Sequence, residues 1–389
     1  MKKEFNVLVL LTGYPREHSG AGKRIHQQYS RLKEHDASIN WNVLTKSESG
    51  SPDFCDGPRL ILNVPPPKNI KLPKIIRILQ EVIWAIFKYR QGLLNNVDAL
   101  HVAGFSYYML PIVFFARRNG LTIVREMVTT GDVGNKQSVG ALMTRLLNSL
   151  SSSYIAISPL INNEFNKLYP EKASACILRP NPVDTQIFFP ASAQARLEAI
   201  NYFNSFEDRV NLKSDNKIIG MLGRIRASKG QHLLIEAMAK SPGDYKALIV
   251  GPTFEGDNYI QTLRESVRYL GLRNRVKIVD ILLSRPSLFY NALDVFAFSS
   301  MDEGLGNVVL EALCSGIPVA GFKGVGGNDW IIDNGLNGFL CETNSIKFAK
   351  AIEHASHLKI DIMEIQKYRQ SFSPQTIDAM LLRLLKNCQ

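Results

Sequence analysis

The chain has 389 residues, is 45% hydrophobic and 21% charged, and carries a net charge of +11. That length predicts two domains of ordinary globular composition and excludes a fibre or a largely disordered chain. Five scattered cysteines (Cys55, Cys176, Cys314, Cys341, Cys388) without a CxxC exclude a disulfide or zinc framework, and the longest apolar run, Tyr107–Ala116, is about half of what a bilayer span needs.

Lys2-Lys3-Glu4 precedes Phe5–Leu11, an apolar run that could pass for a short signal peptide. Glu4 and Asn6 interrupt it, and Thr12-Gly13-Tyr14-Pro15 offers no small-residue cleavage site, so it reads as a buried parallel strand. A loop with Gly20-Ala21-Gly22-Lys23-Arg24 then opens a helix to about Leu32. Trp41–Leu44, Arg59–Val64, Ala99–Val102, Thr122–Val124 and Tyr154–Ile157 read as further strands, with helices between them. Two prolines in Arg179-Pro180-Asn181-Pro182-Val183-Asp184 break any regular element.

After about Asn216 the alternation restarts. Strands are predicted at Lys217–Leu222, Lys246–Val250, Val276–Val279, Val295–Phe298 and Pro318–Ala320, and helices at Gln231–Ala239, Asp257–Leu270, Ser287–Leu293 and Asn307–Ser315. The pattern predicts two α/β domains with parallel sheets, 1–190 and 191–371. The apolar-faced helix Ile377–Leu385 is expected to return to the first domain with 372–389.

The charge is uneven. Residues 1–190 hold 23 Lys/Arg against 14 Asp/Glu (+9), and 191–389 hold 23 against 21 (+2). Pro65–Leu94 places Lys68, Lys71, Lys74, Arg77, Lys88 and Arg90 among apolar residues at helical spacing. Two readings stand side by side: an anionic membrane surface as partner, or a solvated face on an ordinary amphipathic helix. Nucleic acid is disfavoured, because the cations lack an aromatic stacking platform.

Three segments carry chemistry. In Met301–Ala312, Gly304-x-Gly306 lets the backbone approach a ligand just before a helix starting near Asn307, whose N-terminus suits an anion. Glu303 and Glu311 flank that start, spaced for two points on one hydroxyl-bearing ligand rather than for sharing a proton. Gly220–Gln231 is strand, cationic loop, helix; Arg224 offers a planar fork and Lys229 a point charge, a combination suited to a diphosphate. Gly20-Ala21-Gly22 is a weaker glycine loop after the first strand. Neither the P-loop nor the dinucleotide fingerprint occurs.

In this order the segments resemble the GT-B-fold glycosyltransferases, in particular the large retaining family called family 4. Glu303-x7-Glu311, Gly223-Arg224 with Lys229-Gly230, Asn181-Pro182-Val183-Asp184, Val319–Gly327 and Asn334–Leu340 match that family's motifs, most densely over 150–345. The resemblance implies two Rossmann-like domains facing across a cleft, with a nucleotide-sugar donor, UDP-linked in the first instance, on the second. Arg224 and Lys229 would hold the diphosphate and meet the charge of the leaving group, with no metal and no cofactor. Glu303 would contact donor-sugar hydroxyls, and the amides of Gly304, Leu305, Gly306, Asn307 and Val308 the sugar and phosphate. Glu311 would bind the ribose, and Asp280 and Ile281 the base. Gly20 and Gly22 would close on the diphosphate from the first domain.

Many members carry a first-domain histidine near the reacting sugar. Here Arg125 and Glu126 stand nearest that place: either Glu126 is the catalytic stand-in, or His101 or Asp132 is, or the donor is held differently. The implied activity is retaining transfer of a hexosyl unit to a glycan or lipid-linked acceptor in surface polysaccharide or glycolipid synthesis. Its expected place is the cytoplasm, peripheral on the inner face of the plasma membrane. A catalytically inactive relative that binds a nucleotide sugar or supports a partner subunit remains the alternative.

Overall fold

A computed structural model describes residues 4–12, 20–46, 54–56, 59–64, 73–134, 138–207, 209–253, 256, 258–301, 303, 305–325 and 327–386. Gly304, Lys68 and Lys71, named above, lie outside the described residues. The chain forms two compact units, Met1–Asn181 with Gln375–Gln389, and Pro182–Pro374.

The first unit holds β1 (Phe5–Leu11), α1 (Gly20–His35), β2 (Ile39–Lys46), β3 (Phe54–Asp56), β4 (Arg59–Val64), α2 (Lys74–Arg90), β5 (Ala99–Ala103), α3 (Met109–Arg118), β6 (Thr122–Met127), α4 (Val139–Leu150), β7 (Ser153–Ala156), α5 (Pro159–Leu168) and β8 (Cys176–Leu178). Its sheet runs β3-β4-β2-β1-β5-β6-β7-β8, parallel except for β3, which pairs antiparallel with β4. Helices cover both faces, so the central strands are buried throughout: all five positions of β5 are covered, His101 among them. Gly20 and Gly22 stand in the first turns of α1 rather than in a loop ahead of it.

The second unit holds α6 (Ala193–Asn204), β9 (Lys217–Leu222), α7 (Gln231–Met238), β10 (Tyr245–Val250), α8 (Tyr259–Tyr269), β11 (Val276–Val279), α9 (Ser287–Asn291), β12 (Val295–Phe298), α10 (Asn307–Cys314), β13 (Val319–Phe322), α11 (Asn328–Ile331), β14 (Gly338–Cys341), α12 (Ser345–Ser356) and α13 (Ile362–Ser371). Its six strands are all parallel, in the order β11-β10-β9-β12-β13-β14. The order reverses between β9 and β12, which are neighbours through Val295–Ile219 and Phe296–Gly220. In an open parallel sheet a ligand binds beyond the carboxyl ends of the strands at such a reversal. The loops after β9 and β12 therefore have the position of a binding site before any side chain is considered.

The first unit ends at Asn181, nine residues short of the expected 190. Val183 N–H donates to Phe372 O (2.8 Å), and Phe188 packs edge-on against Tyr290, so 182–190 is bound into the second unit. The last helix, α14 (Pro374–Lys386), belongs to the first unit. Leu381 and Leu385 enter a core with Val7, Val9, Ile25 and Trp41. Asp378 accepts hydrogen bonds from Gln28 Nε2 and Arg31 Nε, both at 2.8 Å, which fixes α14 to α1.

Candidate functional site

A pocket of about 340 Å³ opens at the reversal point of the second sheet. Met221–Arg224, Arg226 and Lys229 line it from the β9 loop, Phe296, Phe298, Ser300 and Glu303 from β12 and its loop, and Leu305–Val308 from the start of α10. The two cationic and acidic segments read from the sequence thus share one concavity.

The loops are tied together by backbone. Met301 N–H donates to Ser228 O (3.0 Å), and Ser299 Oγ donates to Gly230 O (2.9 Å). Gly230 turns the chain into α7 at φ +76°, and a Cβ there would stand 2.1 Å from Ser299 O, so only glycine permits this approach. Gly306 carries a second such constraint, with Phe298 Cζ 2.8 Å from where its Cβ would be. Gln231 Nε2 donates to Arg224 O (2.8 Å) and steadies the cationic loop from the first turn of α7.

Lys229 and Glu303 form an ion pair through Nζ and Oε1, each about a quarter exposed. Arg224 and Arg226 are exposed at the same pocket. Arg226 is a third cation that the sequence offered without a role. Among the described lining residues three cations face one carboxylate, and the amide ends of the first turn of α10 add to that positive sign.

Glu311 lies one turn into α10, half-buried, and accepts a hydrogen bond from Tyr290 Oη (2.7 Å). Tyr290, from α9, is fully buried; burial and the Glu311 carboxylate push its hydroxyl well above the usual phenol range, so it stays a donor. Nothing in the sequence pointed to Tyr290. Asp280 and Ile281 follow β11, two strands from β9. Asp280 accepts from Thr253 N–H (2.8 Å) and Oγ1 (2.6 Å), joining the loops after β10 and β11.

Glu126 is placed differently from its expected role. It is fully buried in the first unit, its carboxylate bound by Arg24 from α1, by Arg179 Nη2 (2.6 Å) and by His101 Nε2 (3.0 Å). Burial pushes its carboxyl up, but Arg24, Arg179 and His101 outweigh this and hold it well below the usual carboxylate range. An ionised Glu126 makes Nε2 of His101 the donor and leaves Nδ1 to accept from Tyr29 Oη (3.0 Å). Arg125 and Asp132 are buried as well, paired with each other at 3.2 Å. Each substitute for the absent histidine is therefore enclosed among partners of its own unit. Glu126 compensates two buried arginines there.

Residues 203–376, nearly the whole second unit, match the family model described as glycosyl transferases group 1. Over those residues the second unit is similar to the group 1 glycosyltransferases. The chain is 36% identical over 147 residues to the lipopolysaccharide core biosynthesis glycosyltransferase LpsE of Rhizobium meliloti, covering 37% of this chain and 41% of LpsE. It is 31% identical over 227 residues to the capsular polysaccharide biosynthesis glycosyltransferase CapM of Staphylococcus aureus, covering 57% and 56%. The matches thus span about half the length of these relatives. Among solved structures it is similar to Anabaena HepE in complex with UDP, with a TM-score of 0.75 at 19% identity over 98% of this chain and 100% of HepE. That likeness and the paired sheets establish a two-domain α/β GT-B fold.

Proposed function

We propose that the protein is a glycosyltransferase of family 4 type. It moves a sugar from a nucleoside-diphosphate donor, a UDP-sugar, to a glycan or lipid-linked acceptor in surface polysaccharide or lipopolysaccharide synthesis, retaining the anomeric configuration. The observation that carries this reading is the pocket at the β9/β12 reversal, lined by Arg224, Arg226, Lys229, Glu303 and the start of α10. HepE has been solved with UDP and with UDP-glucose, and LpsE and CapM act in lipopolysaccharide and capsule synthesis, which supports the substrate class.

The donor's diphosphate lies against Arg224 and Lys229. The Lys229–Glu303 pair of the free protein opens as phosphate takes up the lysine, and the released Glu303 carboxylate accepts from sugar hydroxyls. As the bond between the anomeric carbon and the phosphate oxygen breaks, the electron pair goes to phosphate. Charge develops where the two cations already stand, which is fixed electrostatic stabilisation and requires no metal. The acceptor hydroxyl bonds to the anomeric carbon on the same face, and its proton passes to the departing phosphate. Glu311, oriented by Tyr290, accepts from the ribose hydroxyls, and the Asp280–Ile281 loop receives the base.

Transfer and hydrolysis measured with a panel of UDP-, ADP- and GDP-sugars test the reading. Turnover of at least one donor, lost in Arg224→Ala, supports it; binding of a donor without turnover would return the protein to an inactive binding role.

A further inference from the structure

Helix α2 is built inside out. Its buried positions are Glu81 and Ala85, and Glu81 accepts a hydrogen bond from Ser106 Oγ (3.2 Å). On the opposite side Ile75, Leu79, Ile83 and Phe87, spaced four apart, form one row with exposures of 62%, 50%, 64% and 55%. The neighbouring helix α3 packs on α2 through the stacked rings of Tyr89 and Phe115 (3.9 Å) and exposes Phe114. Next to it α4 exposes Leu142 and Leu146. All three helices cover the same face of the first sheet, since Ala85, Ile112 and Leu147 share a core with Leu8 and Leu100. The outward apolar residues thus stand on one helical layer.

Cations border this layer. Lys74 and Arg90 are exposed at the two ends of α2, and Arg117 and Arg118 at the end of α3. An apolar face of this size rarely stays in water, and an apolar row edged by cations matches the boundary between acyl chains and anionic headgroups. A second copy fits less well, because a two-fold contact would set the same arginines and lysines against themselves.

We propose that the outer face of α2, α3 and α4 docks on an anionic membrane surface. Ile75, Leu79, Ile83 and Phe87 enter the headgroup–acyl boundary, and Lys74, Arg90, Arg117 and Arg118 meet lipid phosphates. The inference stands apart from the donor pocket, which lies in the other unit.

The test is co-sedimentation of the full chain with phosphatidylcholine vesicles, with and without one quarter phosphatidylglycerol. Binding to the mixed vesicles is expected, weakening with added salt. The combined substitution Leu79→Ser, Ile83→Ser, Phe87→Ser should lower partitioning by about tenfold or more. It should leave the thermal midpoint in place, because the three side chains are exposed. Arg117→Gln with Arg118→Gln should reduce binding and flatten its salt dependence. Equal binding by the triple variant, or no binding to either vesicle, would overturn the proposal. So would a dimer in sedimentation velocity that the triple variant dissolves while vesicles are ignored; the face would then join two copies of the chain.

Discussion

Tyr290→Phe removes one oxygen and little else. The ring keeps its neighbours Phe188 (5.5 Å), Phe289 (5.3 Å) and Phe296 (5.8 Å), so no cavity larger than a hydroxyl opens. What is lost is the 2.7 Å hydrogen bond to Glu311 and a longer one, 3.2 Å, to Val308 O. A bond to an ionised group contributes about 1.5–3 kcal/mol, and the half-buried carboxylate places this one at the low end. If the bond orients Glu311 toward the ribose, its loss should weaken UDP by roughly tenfold. The ribose does not change during transfer, so donor KM should rise while kcat stays within about twofold. The decisive assay compares UDP with its 2′,3′-dideoxy analogue by calorimetry. The wild-type protein should prefer UDP by about tenfold or more, and in Tyr290→Phe that preference should shrink, because the bond and the ribose contact act through one carboxylate. A kcat collapse with unchanged KM, or an undiminished ribose preference, would show that Glu311 does not hold the ribose and would move it to the reacting sugar.

Two further outcomes follow. Glu303→Gln should lower turnover yet keep UDP affinity or raise it by up to about fivefold, because it frees Lys229 from a partly exposed pair of roughly 0.2–1 kcal/mol; calorimetry showing a loss larger than in Glu311→Gln would reverse the donor's direction. Burial holds the His101 imidazole below its usual 6.5, so the unfolded chain takes up a proton that the folded one refuses: stability should fall as pH drops through about 6.5, urea midpoints should record it, and His101→Gln should flatten that stretch.

The fold was legible where burial is two-sided. Parallel strands covered on both faces read as apolar runs, which is why Val295–Phe298 coincides with β12 and the run from Val7 to Leu11 falls within β1. The strands β8 (Cys-Ile-Leu) and β14 (Gly-Phe-Leu-Cys) are three and four residues long, with partly exposed positions, too short a run to mark them. The glycines at 20 and 22 signalled a loop, yet they continue into α1, since glycine weakens a helix without forbidding it. The pocket's cations and carboxylates were legible as motifs. Their partners were not: Lys229 meets Glu303 across 74 residues and Tyr290 meets Glu311 from another helix, contacts that no local spacing encodes. The α2 stripe shows a third limit. Helical periodicity reveals an apolar row but not which way it faces, and here it faces out while Glu81 faces in.

On the proposed reading Arg224 and Lys229 hold a nucleoside diphosphate in the second unit. Isothermal titration of UDP into the wild-type chain, Arg224→Ala and Lys229→Ala measures this. Each lost charge-assisted phosphate contact is worth about 1.5–3 kcal/mol, so affinity should fall roughly 10- to 100-fold in each variant, with thermal midpoints unchanged. Uridine, which has no phosphates, should bind all three proteins alike. Wild-type affinity for UDP in both variants, or an equal loss for uridine, would mean that the two cations do not hold the diphosphate.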